Sequence, residues 1–113
     1  MFTLATGDLI GLPTNDKHLN FEWDGPARIL FSATRRGDAL SCHVASDKKG
    51  LRYLKDVIDS FCLWAFSEFE WCKMILAVTG RRSIEKLIEK VGFSLVADFD
   101  DKKVYMRVRA CVL

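Results

Sequence analysis

The chain has 113 residues, half of them apolar, with 17 lysines and arginines against 15 aspartates and glutamates. That length supports one domain with a single core, and an apolar half with only two prolines excludes a disordered chain. A net charge of +2, with aromatics spaced for a core and not interleaved with basic residues, argues against nucleic acid as the main partner.

Residues 1–26 are the least regular part. Gly7, Gly11, Pro13 and the run Thr14-Asn15-Asp16 break them up, and only residues 18–23 alternate well enough for a short strand. Asp24-Gly25-Pro26 is a turn signal, and a hairpin follows: a strand over 27–34, a turn at Arg35-Arg36-Gly37-Asp38, a strand over 39–46. After Asp47-Lys48-Lys49-Gly50 the periodicity predicts a helix from about Leu51 to Phe69. Leu51, Leu54, Ile58, Phe61, Ala65 and Phe69 form its stripe, widened by Val57, Cys62 and Phe66, which suits a helix packed on a sheet. Trp64 falls at the stripe's edge, at the core boundary or in an interface.

Met74 to Val78 is a continuous apolar run, as expected of a strand covered on both faces. Ser83 is the expected N-cap of a second helix carrying Ile84, Leu87, Ile88 and Val91. Gly92 fits a left-handed C-cap, with Phe93 pinning the exit. A second hairpin closes the pattern, with strands over 94–99 and 103–108 and the turn Asp100-Asp101-Lys102. The order β-β-β-α-β-α-β-β predicts an α/β (α+β) domain: a mixed sheet of about six strands with two main helices. Residues 1–26 are expected to form an irregular amino-terminal part and residues 27–109 the core of one domain spanning 1–113.

Cys42, Cys62, Cys72 and Cys111 lie far apart with no Cys-x-x-Cys pair, so they read as buried apolar residues and not as zinc ligands. The first residues lack the basic start of a signal peptide, and no apolar run approaches the ~20 residues of a membrane helix. The expectation is a soluble protein of a reducing cytoplasm, with no metal and no membrane partner.

A glycine turn between a buried strand and a helix can bring unpaired amides and a positive dipole end up to an anion. The element order, that turn at Asp47-Lys48-Lys49-Gly50-Leu51-Arg52, and Lys90-Val91-Gly92-Phe93 closing the second helix together resemble the GNAT superfamily of acyl-CoA N-acyltransferases. The flavour is that of its short, divergent members encoded by tailed bacteriophages and prophages. In the family the turn reads Gln or Arg, two residues, Gly, one residue, then Gly or Ala. Gly50 matches, while Asp47 and Arg52 depart.

The resemblance implies acetyl-CoA, or another acyl-CoA, with its diphosphate at the amides of Lys49, Gly50, Leu51 and Arg52. Lys48, Lys49 or Arg52 would add charge. It also implies a pantetheine arm laid along Val44, Ala45 and Ser46, where the strand splays from its neighbour and small side chains leave room. The alternative reading makes Asp47 an N-cap and Gly50 a tolerated first-turn glycine.

Acylation of an amine needs a base for the acceptor and an acid for the departing thiolate. His43, on the strand leading into the glycine turn, is the candidate base, with an unperturbed pKa of about 6.5. A histidine hydrogen-bonded in the sheet would read the same way. His18 reads as a surface residue. The family's usual tyrosine acid falls at Ile88 and its usual asparagine at Arg81, leaving Tyr53 and Tyr105 as the available tyrosines. No nucleophile elbow or catalytic carboxylate pair is present.

The expected function is acetyl transfer from acetyl-CoA to an amine of a protein or small molecule. The alternative is a catalytically inactive structural, assembly or interaction protein of a bacteriophage, meeting virion or host proteins. A phage-encoded chain would work in the bacterial host cytoplasm or the virion. A homodimer through the last hairpin or the tryptophans stays open.

Overall fold

The computed structural model describes residues 1–12 and 17–110. The turn residues Pro13, Thr14, Asn15 and Asp16, and Cys111, lie outside them. Seven strands form one sheet: β1 (Phe2–Leu4), β2 (Leu19–Trp23), β3 (Ile29–Arg36), β4 (Ala39–Ser46), β5 (Met74–Thr79), β6 (Ser94–Asp98) and β7 (Lys103–Val108). Their spatial order is β1-β2-β3-β4-β5-β7-β6. Every neighbouring pair is antiparallel except β4 with β5, the one pair that needs a helical crossover.

The strand beyond the sequence expectation is β1. Three residues are too few to show a period, yet Phe2 anchors the strand by packing edge-on against Phe31 and Phe61, 5.8 and 5.2 Å between ring centroids. The turn of the first hairpin is two residues long, Gly37-Asp38, because Arg36 and Ala39 pair directly.

The single helix expected from Leu51 is two pieces, a 3-10 turn over Lys49–Tyr53 and then α1 over Leu54–Glu68. Leu54, Val57, Ile58, Phe61, Cys62, Ala65 and Phe66 are its buried residues, the predicted stripe without its ends: Leu51, in the 3-10 turn, is 58% exposed and Phe69 only partly buried. Phe61 stacks on Phe31 of β3 with centroids 4.0 Å apart and rings nearly parallel, at 2°. Trp64 packs against Phe2, Phe21, Phe61 and Phe69, so it belongs to the core edge.

The second helix, α2, runs over Arg82–Glu89 and starts earlier than expected. Arg81, not Ser83, holds the N-cap position, because the amides of Ile84 and Glu85 both donate to the Arg81 carbonyl. Its end is a Schellman turn: Phe93 N–H donates to Ile88 C=O, Gly92 N–H to Glu89 C=O, and Gly92 takes φ 90°. Ile88, Val91 and Phe93 join the same core cluster as α1, so both helices cover one face of the sheet, the inner face.

The outer face is covered in part by described residues between β1 and β2. They are tied down where Arg28 Nη2 donates to Thr6 C=O and Thr34 Oγ1 to Lys17 C=O. Beneath them Leu30 and Ser32 are fully buried. Farther across, Val78 and Val108 are 40% and 60% exposed. The apolar run at β5 is therefore covered on its inner face, at Ile75, and only partly on the other, a correction to the expectation of two covered faces.

Candidate functional site

Pairing of β4 with β5 stops at Cys42 and Ala77, although β4 continues to Ser46 and β5 to Thr79. The strands part there, and the β4 backbone beyond Cys42 loses its ladder partner on that side. A cavity of about 690 Å³ opens in the gap. Val44, Ala45 and Ser46 form one bank, and Val78, Thr79 and Arg81 the other. Ile58 and Phe61 of α1 lie at its inner end, and His43 with Ile10 at its outer end, so the cleft passes through the sheet. Such a volume is in the range of small-molecule sites.

Of the residues singled out from sequence, His43, Val44, Ala45, Ser46 and Leu51 line this cleft, while Lys48, Lys49, Gly50 and Arg52 do not. The turn explains why. Asp47 accepts the Gly50 N–H at Oδ1, 2.8 Å, and again at its carbonyl, 3.1 Å. Its Oδ2 also accepts the Arg28 N–H at 3.4 Å, and its carbonyl takes the Ser46 hydroxyl at 2.8 Å. Asp47 is a cap that pins the turn to the start of β3, and the Gly50 amide is spent within the protein.

Glycine is needed at position 50 for packing. A Cβ there would collide with Ser46 Oγ and lie 2.8 Å from Ile29 Cγ1 and 3.2 Å from the Arg28 carbonyl oxygen. Lys48, Lys49 and Arg52 are exposed beside this turn, and Arg81, on the opposite bank, and Arg82, next to it, are exposed too. None of these cations is in an ion pair among the described residues.

His43 is an exposed residue of the outer face. Partial burial and the neighbouring His18 ring, 6.3 Å away between centroids, push its pKa below the usual value. Both causes favour the neutral imidazole, the form that can take a proton. His18 was expected on the surface; it is half-buried beside His43. Two residues that the sequence did not point to stand in line with His43, Ser32 directly across on β3 and Asn20 beyond it on β2.

Among the described residues no tyrosine lines the cleft to stand in for Ile88, which lines it at 2% exposure. The Tyr105 hydroxyl donates to Glu89 Oε1 at 3.1 Å, and Tyr53 packs on Trp23 at 5.5 Å; neither lines the cleft. Cys42 and Cys62 do line it, but burial raises both thiols, Cys62 to about 12, so neither is a thiolate nucleophile. Among the described residues there is no cluster of three metal-ligating side chains, and no helix is long and apolar enough to cross a membrane.

No family model matches the chain, and no curated protein matches it. Solved structures do. The N-acetyltransferase PseH of Campylobacter jejuni, also solved in complex with acetyl coenzyme A, superposes with a TM-score of 0.68 at 10% identity, over 85% of this chain and 71% of that one. A chimera of the spermidine N-acetyltransferase SpeG from Vibrio cholerae and hSSAT gives 0.69 at 10% identity, over 83% and 71%. A GNAT-family acetyltransferase from Bacillus anthracis gives 0.63 at 14% identity, over 81% and 66%. The mixed seven-stranded sheet with two helices on one face is the GNAT fold.

Proposed function

We propose that the protein is an N-acyltransferase that moves an acetyl group from acetyl-CoA, or a related acyl-CoA, to an amine. The observation behind this is the cleft where β4 and β5 part, with His43 on its rim. It lies in a fold shared with an N-acetyltransferase solved with acetyl coenzyme A.

The residues present fit such a ligand. The unpartnered β4 edge at Val44, Ala45 and Ser46 can hydrogen-bond a pantetheine arm, and Ala45 and Ser46 are small enough to admit it. Because Asp47 occupies the Gly50 amide, Gly50 shapes the turn, and phosphate binding falls to the charges of Lys48, Lys49 and Arg52 with the backbone near Leu51. Bound acyl-CoA supplies an activated thioester carbonyl. His43 takes the proton from the attacking amine, and a main-chain N–H near Val44 or Ala45 meets the developing oxyanion. Ile88 holds no proton for the departing sulfur, which leaves that proton to water. The acceptor is a small amine, or a side chain or terminus of a protein.

Calorimetry with acetyl-CoA tests the reading, which expects saturable binding and a rise in Tm. No binding at millimolar acetyl-CoA would retire it. Two observations favour a second reading, a catalytically silent interaction or assembly protein on the same fold, as in a bacteriophage particle. They are the Gly50 amide closed by Asp47 and the apolar Ile88 in the cleft. Co-sedimentation with virions or capsid precursors, with no thermal shift from acetyl-CoA, is its signature.

A further inference from the structure

Asn20, Ser32 and His43 stand in one row across β2, β3 and β4, each directly paired with the next. Opposed residues of antiparallel strands share a face, with Cβ atoms about 4.5–5.5 Å apart. Ser32 is 0% exposed and its Oγ has no hydrogen-bond partner; Asn20 Oδ1 is also buried and without one. A hydroxyl able both to donate and to accept therefore sits between an imidazole and an amide oxygen, bonded to neither. Buried polar groups are nearly always satisfied, so two adjacent orphans call for an explanation. Packing alone would be served at position 32 by alanine, which brings no hydroxyl to satisfy.

We infer that Ser32 is the positioning residue of His43, accepting a hydrogen bond from its Nδ1–H while donating its own proton to Asn20 Oδ1. The arrangement satisfies both orphaned oxygens at once and leaves the Nε2 lone pair for the cleft. It fixes the tautomer a base requires, by the logic in which a third group orients the base.

The role rests on the reading of His43 as the base. Around His43, His18 and the adjoining Lys17 come from the segment before β2. Ile10, Gly11 and Leu12 of the crossing segment and Val78 of β5 carry no charge.

The test is nitrogen-resolved NMR of the His43 ring in the full chain, without any acyl-CoA, in wild type, Ser32→Ala and Asn20→Ala. The wild type is expected to hold the Nδ1–H tautomer. Ser32→Ala should shift the ring toward the Nε2–H form and lower its titration midpoint by about half a pH unit, since an acceptor that favours the imidazolium is lost. Asn20→Ala should do the same to a smaller extent, and it carries the test alone if Ser32→Ala fails to fold.

In the acetyl-transfer assay, kcat of Ser32→Ala should fall about tenfold with KM for acetyl-CoA unchanged, while Tm changes little. Identical His43 tautomer and midpoint in the variants and wild type would overturn the inference. An inactive wild type would overturn the transferase reading alone, because the NMR readout uses no substrate.

Discussion

On β3, Phe31 and Ser32 are adjacent and almost equally buried, at 2% and 0% exposure, but they serve different faces. Phe31 faces inward and stacks on Phe61, within an aromatic cluster that includes Phe2 and Phe21. Ser32 faces outward, under the crossing segment, with no partner for its hydroxyl. Equal burial thus stabilises on one side and costs free energy on the other, since a desolvated unpaired hydroxyl loses its hydrogen bonds to water. The inner face holds the fold together, and the outer face carries polar residues beside the cleft that packing alone would not select.

The sharpest way to break that contrast is at its stable end. Phe61→Ala should cost about 3–5 kcal/mol, measured by urea unfolding, because it leaves a cavity among four aromatic neighbours. A loss below about 1 kcal/mol would show that the inner face is not the main source of stability. Next in size is His43→Ala. It should lower kcat for acetyl transfer about a hundred- to a thousandfold while leaving acetyl-CoA affinity unchanged, since the base acts on the amine. An equal loss of affinity would make His43 a binding residue.

Gly50→Ala tests the turn between the faces. Its Cβ meets Ile29 at 2.8 Å and the Arg28 carbonyl at 3.2 Å, so a loss of about 1–3 kcal/mol in thermal or urea unfolding is expected. Smaller still, Ser32→Ala should change stability by less than about 1 kcal/mol, since it removes a desolvated hydroxyl together with the bonds inferred to His43 and Asn20. A loss well above that would mean that the hydroxyl holds the fold and not only the ring of His43.

Much of the inner face was legible in the sequence, because helix spacing and strand alternation report burial directly. The stripe from Leu54 to Phe66 and the Gly92 cap are read from local pattern, and each needs only its own neighbours. The outer face was legible only at His43. Asn20 and Ser32 lie 12 positions apart in the chain, and Ser32 and His43 11, so only strand register makes a line of the three. A serine inside Ile29-Leu30-Phe31-Ser32-Ala33 was the available signal, a polar residue at a position whose neighbours are all buried.

The glycine turn misled in a different way. Gly50 fits a phosphate-loop spacing, but Asp47 three residues earlier is an equally good cap, and sequence alone does not say which one takes the amide. β1 was missed because it is held by tertiary aromatic contacts and not by its own three residues.

The smallest expected effect is the dependence of stability on pH, and it separates the faces without any ligand. The inner face carries Phe31, Phe61 and Ile75, which do not titrate, whereas His43 on the outer face has its pKa lowered by burial and by His18. In the unfolded chain His43 titrates near 6.5, so as pH falls through that value the unfolded state takes up protons first. Stability from this residue is fully present above about pH 6.5 and declines on acidification. The decline levels off once pH drops below the native pKa of His43. Tm of wild type and His43→Gln, measured from pH 8 to pH 5, should therefore differ by a constant above about pH 6.5, with wild type losing ground below it. Because His43 is exposed and screened by solvent, the divergence should be small and should shrink further if His18 is also replaced. Parallel curves throughout would mean that the ring pays no desolvation cost, and the outer face would then be as indifferent to protons as the inner one.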